Sequence, residues 1–165
     1  MRIRSPPGAG LSWAHFPSIA DSLMTAAAEF DTETARMRDS GQPTVLVADD
    51  NRVVRDLVVF RLERSGYRVI AASDGAEALR IARDQLPDLA ILDVMMPNLT
   101  GIEVTKHIRA DEATHHIPVI LLTARVQEVD ITRGFDAGAD DYIRKPFNPQ
   151  EIQRRVQAML GRRRV

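Results

Sequence analysis

The chain contains no cysteine, which removes disulfides, thiol nucleophiles and cysteine-type zinc sites from consideration. It carries almost no net charge, −1 at pH 7, so no global field draws it to nucleic acid or to a membrane surface. It has no apolar run of about 18 residues, the length needed to span a bilayer. The N-terminus lacks the continuous apolar core of a signal peptide, and a cytoplasmic location is the default expectation. A phosphate loop of the Gly-x-x-x-x-Gly-Lys-Ser/Thr type is missing too, which speaks against a nucleotide triphosphatase. Lysine is scarce: of 22 Lys+Arg, the lysines are Lys106 and Lys145 alone. Where arginine is the default cation, an ammonium kept at Lys145 beside Arg144 points to a task for a flexible point charge rather than a planar fork.

What is present suffices for one domain of ordinary size plus a tail, with 165 residues of which 44% are hydrophobic. The boundary falls at Gly41-Gln-Pro43. Residues 1–43 read as a largely disordered tail with a short helix over 18–38, where Ser18 and Asp21 make a capping arrangement and Ile19, Leu23, Ala26, Phe30 and Met37 recur on one face. Residues 44–163 read as the folded domain. Strands are expected over 44–48, 67–72, 88–92, 117–122 and 140–144, and helices over 52–65, 75–86, 102–110, 126–137 and 148–162. The first helix presents Val54, Leu57, Val58 and Leu62 on its apolar face. Such alternation predicts an α/β fold with a parallel sheet covered by helices on both faces. Right-handed crossovers favour the flavodoxin-like, doubly wound five-stranded sheet in the order 2-1-3-4-5, which sets the first and third strands side by side at the switch point.

That order brings chemistry to one edge. Asp49 and Asp50 follow the first apolar run, Asp93 the third, Thr123 the fourth and Lys145 the fifth, and in open α/β sheets ligands bind at the carboxyl ends of the strands. Asp50 and Asp93 are 43 residues apart in sequence, yet their strands are expected to be neighbours. Clustered carboxylates repel one another unless a cation neutralises them, and a hard divalent ion with oxygen ligands, such as Mg²⁺, does so. An aspartate can then attack phosphorus, and an ammonium and a hydroxyl, here Lys145 and Thr123, meet the phosphoryl charge. Singly, each residue has a plainer explanation as a strand-end cap or a turn residue. Jointly, that explanation gives no reason for every acid, hydroxyl and amine to fall at a strand's carboxyl end.

The motifs Val45-Leu-Val-Ala-Asp-Asp50, Asp74-Gly-Ala-Glu-Ala-Leu79, Asp88-Leu-Ala-Ile-Leu-Asp-Val-Met-Met-Pro-Asn98, Leu122-Thr-Ala124, Gly138-Ala-Asp-Asp-Tyr142 and Lys145-Pro-Phe147, in this order, resemble the receiver domain of bacterial two-component response regulators. The resemblance implies a phosphorylation-dependent signalling switch of a phosphorelay. Asp93 would accept the phosphoryl group from a sensor histidine kinase or a phosphotransfer protein. Asp49, Asp50, Asp93 and the backbone carbonyl of Met95 would hold Mg²⁺, with Mn²⁺ as a substitute. Lys145, Thr123 and the backbone N–H of Ala124 would contact the phosphate. It implies a cis Lys145–Pro146 peptide, and a switch in which the Thr123 hydroxyl moves to the phosphoryl group and the Tyr142 ring fills the space behind it. The output is the face of the fourth helix, fifth strand and fifth helix, which would control a downstream partner.

Competing readings weigh against particular residues. A haloacid-dehalogenase-like phosphatase needs a second acid two residues after the nucleophile, where this chain has Met95. A degenerate receiver that only binds partners is opposed by the intact Asp93 and Lys145. The segment from Pro149 to Arg164 is similar to receivers linked to winged-helix transcription factors, which keeps open a receiver fragment of a transcription-factor response regulator. In those proteins charge pairs cross a dimer. Asp140 and Asp141 with Arg155 and Arg162 stand at comparable spacings, whereas Ile131 replaces a basic residue opposite Glu151. A weak homodimer on phosphorylation is therefore expected. Direct binding to nucleic acid or membrane is not, and the chain is read as a switch rather than a turnover enzyme.

Overall fold

The computed structural model describes residues 41–124 and 128–161, excepting the side chains of 128–131. The tail before residue 41, with the helix expected over 18–38, lies outside the described residues, as do Arg125, expected to shield the phosphoryl group, Arg162 and the side chain of Ile131.

Five strands alternate with five helices: β1 (Thr44–Ala48), α1 (Arg52–Glu63), β2 (Arg68–Ala72), α2 (Gly75–Gln85), β3 (Leu89–Asp93), α3 (Gly101–Ala110), β4 (Val119–Thr123), α4 (Glu128–Asp136), β5 (Asp141–Arg144) and α5 (Pro149–Gly161). The strands form one sheet in the order β2-β1-β3-β4-β5, and every pairing is parallel. This is the flavodoxin-like arrangement expected from the sequence.

Parallel strands in the middle of such a sheet are buried on both faces and therefore read as unbroken apolar runs. All of β3 and β4, and all of β1 after Thr44, are buried. Side chains alternate between two cores. Leu46, Leu92 and Leu121 pack on one face with Ala78, Val104 and Ile108, and Val47, Ile91 and Ile120 pack on the other with Val58, Leu62, Ile152 and Val156.

The helix starts are fixed by side-chain caps that satisfy the first free N–H groups. Asn51 accepts from Val53 and Val54 at the start of α1, Asp74 from Glu77 at α2, and Thr100 forms a capping box with Glu103 at α3.

Several boundaries differ from the sequence expectation. The fourth strand begins at Val119 rather than residue 117, because Pro118 has no N–H to give to the ladder. Asp93 and Thr123 are the last residues inside their strands, not the first beyond them. Leu57, expected to face the core, is 45% exposed. At about 100° per residue it sits roughly a third of a turn from the buried Val58–Leu62 line.

Candidate functional site

β1 and β3 lie side by side, with Ala48 opposite Leu92. Their ends therefore deliver Asp49, Asp50 and Asp93 to one spot, where a carboxylate oxygen from each lies within 4.8 Å of the others. The three acids have unequal surroundings: Asp49 is fully buried and Asp93 nearly so, whereas Asp50 is exposed.

Asp49 is held from several sides. Its Oδ1 accepts the Asn51 N–H at 2.9 Å, its Oδ2 accepts from Lys145 Nζ at 2.6 Å, and its carbonyl accepts from the Arg55 guanidinium at 2.8 Å. Asn51 thus works twice, fixing the buried acid with its backbone and starting α1 with its side chain. The sequence reading passed over Asn51, although the run Asp49-Asp50-Asn51 before an apolar periodic segment is a recognisable helix-start signal.

Lys145 follows β5, whose ladder continues through a bond from the Lys145 N–H to the Thr123 carbonyl at 2.7 Å. Its ammonium reaches back between two acids, 2.6 Å from Asp49 and 3.3 Å from Asp93. The Lys145–Pro146 peptide is cis, as expected.

Asp93 has an unusual proton affinity for a carboxyl. Burial pushes its pKa up from 3.8 to about 6; Lys145 pulls it down, Asp49 pushes it further up, and the Met95 N–H bond lowers it. Removal from water therefore outweighs the ammonium. The α3 side holds the backbone here: the Gly101 N–H donates to the Val94 carbonyl at 3.0 Å. A Cβ on Gly101 would run into the Asp93 carbonyl, so only glycine lets α3 start this close to the acid.

Thr123 is buried at the end of β4 and follows Leu122, the register partner of Asp93. Ala124 comes directly after it and is exposed. Tyr142 lies opposite Leu121 in register and packs against the core that contains Leu121. Met95 projects outward, 51% exposed. Beside Lys145 an apolar hollow of about 390 Å³ is lined by Val54, Leu57, Ala124, Lys145, Pro146 and Phe147.

Three of the charged residues expected on a dimer face, Asp140, Asp141 and Arg155, have partners inside the chain. Arg155 grips Asp141 at 2.7 Å and Glu151 at 2.9 Å. Asp140 accepts from Arg109 and from the Val119 N–H, both at 2.8 Å. Arg109 was missed by the sequence reading. Its guanidinium also bonds the carbonyls of Gly138, His115 and Ile117, tying α3 to the entries of β4 and β5.

The described acids suit a hard divalent cation, since three carboxylates converge with one edge open to solvent. The same set, with the ammonium beside it, can seat a phosphoryl group against Asp93.

A model of the response regulator receiver domain matches residues 45–157. The alkaline phosphatase synthesis transcriptional regulatory protein PhoP of Bacillus subtilis is 48% identical over 121 residues, covering 73% of this chain and 50% of PhoP. The phosphate regulon transcriptional regulatory protein PhoB of Escherichia coli is 42% identical over 118 residues, covering 72% of this chain and 52% of PhoB. The chain thus spans about half the length of the curated relatives it matches. Among solved structures, a putative response regulator from Chloroflexus aurantiacus superposes with a TM-score of 0.69 at 38% identity, covering 73% of this chain and 98% of that one. The receiver domain of the sensor histidine kinase PA1611 from Pseudomonas aeruginosa, solved with a magnesium ion coordinated in its active site cleft, gives 0.68 at 36% identity with the same coverage of 73% and 98%.

Proposed function

The chain belongs to the response regulator receiver domain family, and on that premise we propose that it is the phosphorylation-dependent switch of a two-component system. It takes a phosphoryl group onto Asp93 from a sensor histidine kinase or a phosphotransfer protein. The observation that carries this reading is the convergence of Asp49, Asp50 and Asp93 with the Lys145 ammonium set between two of them.

A carboxylate oxygen of Asp93 attacks phosphorus, the bond from phosphorus to the donor atom breaks, and the donor leaves with that electron pair. Lys145, the Thr123 hydroxyl and the Ala124 N–H meet the phosphoryl oxygens, and their worth lies in being placed before the charge arrives. Asp49, Asp50, Asp93 and the Met95 carbonyl would hold Mg²⁺, or Mn²⁺ in its place. When bound, the ion supplies positive charge that lets anionic nucleophile and anionic phosphoryl group approach. The chain modifies itself once and releases phosphate slowly, and so acts as a switch.

For the donor we propose a footprint over α1 and the hollow beside Lys145. Val53, Leu57 and Phe60 recur on α1 at helical spacing and are 76%, 45% and 59% exposed, an apolar strip leading toward the hollow. Output runs through α4, β5 and α5, where Thr123 and Tyr142 couple phosphate to two arrangements of one face. A second reading, the receiver part of a transcription-factor response regulator, is favoured by one observation. PhoP and PhoB are transcriptional regulatory proteins of which this chain spans about half. Incubation with a small acyl phosphate and Mg²⁺, read by intact mass and peptide mapping, tests the central assignment.

Two further outcomes are expected. Met95 lies two residues after the nucleophile, is half exposed, and offers no good hydrogen bond to orient an attacking water. Replacing Met95 with Asn should therefore shorten the life of the acyl phosphate, by about ten-fold, less than the roughly 10²–10⁴ of a group that itself transfers the proton. A phosphate-release assay showing an unchanged or slower rate would refute this role.

Dimerisation through the α4–β5–α5 face should be weak. Asp141 and Arg155 already pair within one chain, so a two-fold contact must exchange that pair for its equivalents across the axis, and exposed ion pairs contribute only about 0–1 kcal/mol each. Sedimentation should show a monomer that shifts toward dimer with beryllofluoride and Mg²⁺, and back again in Arg155→Glu. A monomer at every concentration, with or without the phosphoryl mimic, excludes the dimer.

A further inference from the structure

Phe135 on α4 and Tyr142 on β5 meet edge to face, their ring centroids 5.7 Å apart and their planes at 83°. This is an arrangement that the ring quadrupoles favour. Phe135 is 47% exposed, while Tyr142 is half-buried against the core beside Leu121 and Ala139. The helix that carries Phe135 reaches this part of the sheet at Gly134, where a Cβ would lie 2.8 Å from Leu121 Cδ1. Leu121 and Thr123 share one face of β4, and Tyr142 pairs in register with Leu121. The two rings and the Thr123 side chain therefore stand on the same side of the sheet.

The backbone of Tyr142 is held. Its N–H donates to Asp141 Oδ1 at 2.8 Å, and the Asp141 carboxylate is gripped by Arg155 at 2.7 Å. With the main chain fixed, the tyrosine can change place by its side-chain torsions, between staggered wells. In its present place the ring has Phe135 as its aromatic neighbour.

We infer that Phe135 is a positioning residue of the switch, whose ring holds Tyr142 in the resting arrangement and is released when Tyr142 turns into the space left by Thr123. The inference rests on the proposed switch through Thr123 and Tyr142 and adds the element that sets its resting balance. A ligand that binds the activated arrangement has its apparent affinity reduced by the fraction of molecules not in that arrangement. Weakening the contact that holds the resting form therefore tightens the ligand, and an edge-to-face pair accounts for about a two- to ten-fold change.

Beryllofluoride with Mg²⁺ is the probe, and Mg²⁺ alone is the control, because the metal meets the acids and not the rings. Phe135→Leu, which keeps apolar bulk, and Phe135→Ala should both bind beryllofluoride about two- to ten-fold more tightly, with Mg²⁺ affinity unchanged. In a Tyr142→Leu background neither substitution should have an effect. The chain has two tyrosines, Tyr67 and Tyr142, so ring resonances are readily assigned. In unliganded Phe135→Leu those of Tyr142 should move toward their beryllofluoride-bound positions while those of Tyr67 stay. Unchanged or weaker beryllofluoride binding, or an effect that persists without the Tyr142 ring, overturns the inference while leaving the phosphoacceptor assignment intact. Failure of the unmodified chain to bind beryllofluoride at all would instead remove the switch reading itself.

Discussion

Acetyl phosphate is expected to label the chain once, on Asp93, when Mg²⁺ is present, and to leave Asp93→Asn unlabelled. Three carboxylates stand within 4.8 Å at the attack point, and an acyl phosphate adds further negative charge. Lys145 alone is already engaged by Asp49 and Asp93, so a chelator should abolish labelling of the unmodified chain. Balance is simple: the phosphorus–oxygen bond to acetate breaks as the Asp93 oxygen bonds phosphorus, and acetate departs. Removing a single pre-placed donor at a developing charge typically costs about 10²–10³ in rate, which is the loss expected for Lys145→Ala. Lys145→Arg should recover little, since a planar fork cannot sit where a point charge bridges two carboxylates. Quantitative labelling of Asp93→Asn, or full labelling in the presence of chelator, would show that another group is the acceptor.

The central part of this site was legible because of where it lies in the sheet. β3 and β4 are buried throughout and β1 after its first residue, so their sequences are apolar runs in which a terminal Asp or Thr stands out. Lys145 stood out for a different reason, as one of two lysines among 22 Lys+Arg. Strand order followed from alternation and handedness, and that order made neighbours of acids distant in sequence.

What escaped the sequence reading depends on partners rather than periodicity. Arg109 is one arginine among many in the sequence, and nothing local shows that it binds three carbonyls and Asp140. Leu57 fits an apolar helical pattern yet lies beyond the stripe that α5 and the sheet cover, and lines a hollow with Phe147 instead. The edge contact of Phe135 with Tyr142 needs α4 seated on β4 through Gly134, a packing fact that no pattern of hydrophobic residues specifies.

The second large effect is on stability, and its sign follows from the raised pKa of Asp93. Its folded value is about 6 against an ordinary 3.8, so folding favours the protonated form. The stability this contributes is complete below pH 3.8 and is lost as pH rises through about 6. Without added metal, the unmodified chain should therefore lose on the order of 2–3 kcal/mol between pH 4 and 7 from this group. Asp93→Asn cannot ionise and escapes the loss. At pH 7 its melting temperature should be higher by roughly 5–10 °C, and the pH slope between 4 and 7 should flatten. Asp50, being exposed, should give only a small gain when replaced by Asn. Asp49→Asn should go the other way: that acid is fully buried and accepts from Lys145 at 2.6 Å, and removing one partner of a buried pair costs about 3–5 kcal/mol. Added Mg²⁺ should largely close the gap at pH 7, stabilising the unmodified chain by about 2.7 kcal/mol at a hundred-fold excess over its Kd and Asp93→Asn by much less. Thermal unfolding of the three variants across pH 4–7, with and without Mg²⁺, checks this. A metal-free chain that grows more stable from pH 5 to 7 and does not respond to Mg²⁺ would contradict both the strained carboxyl and the shared cation site.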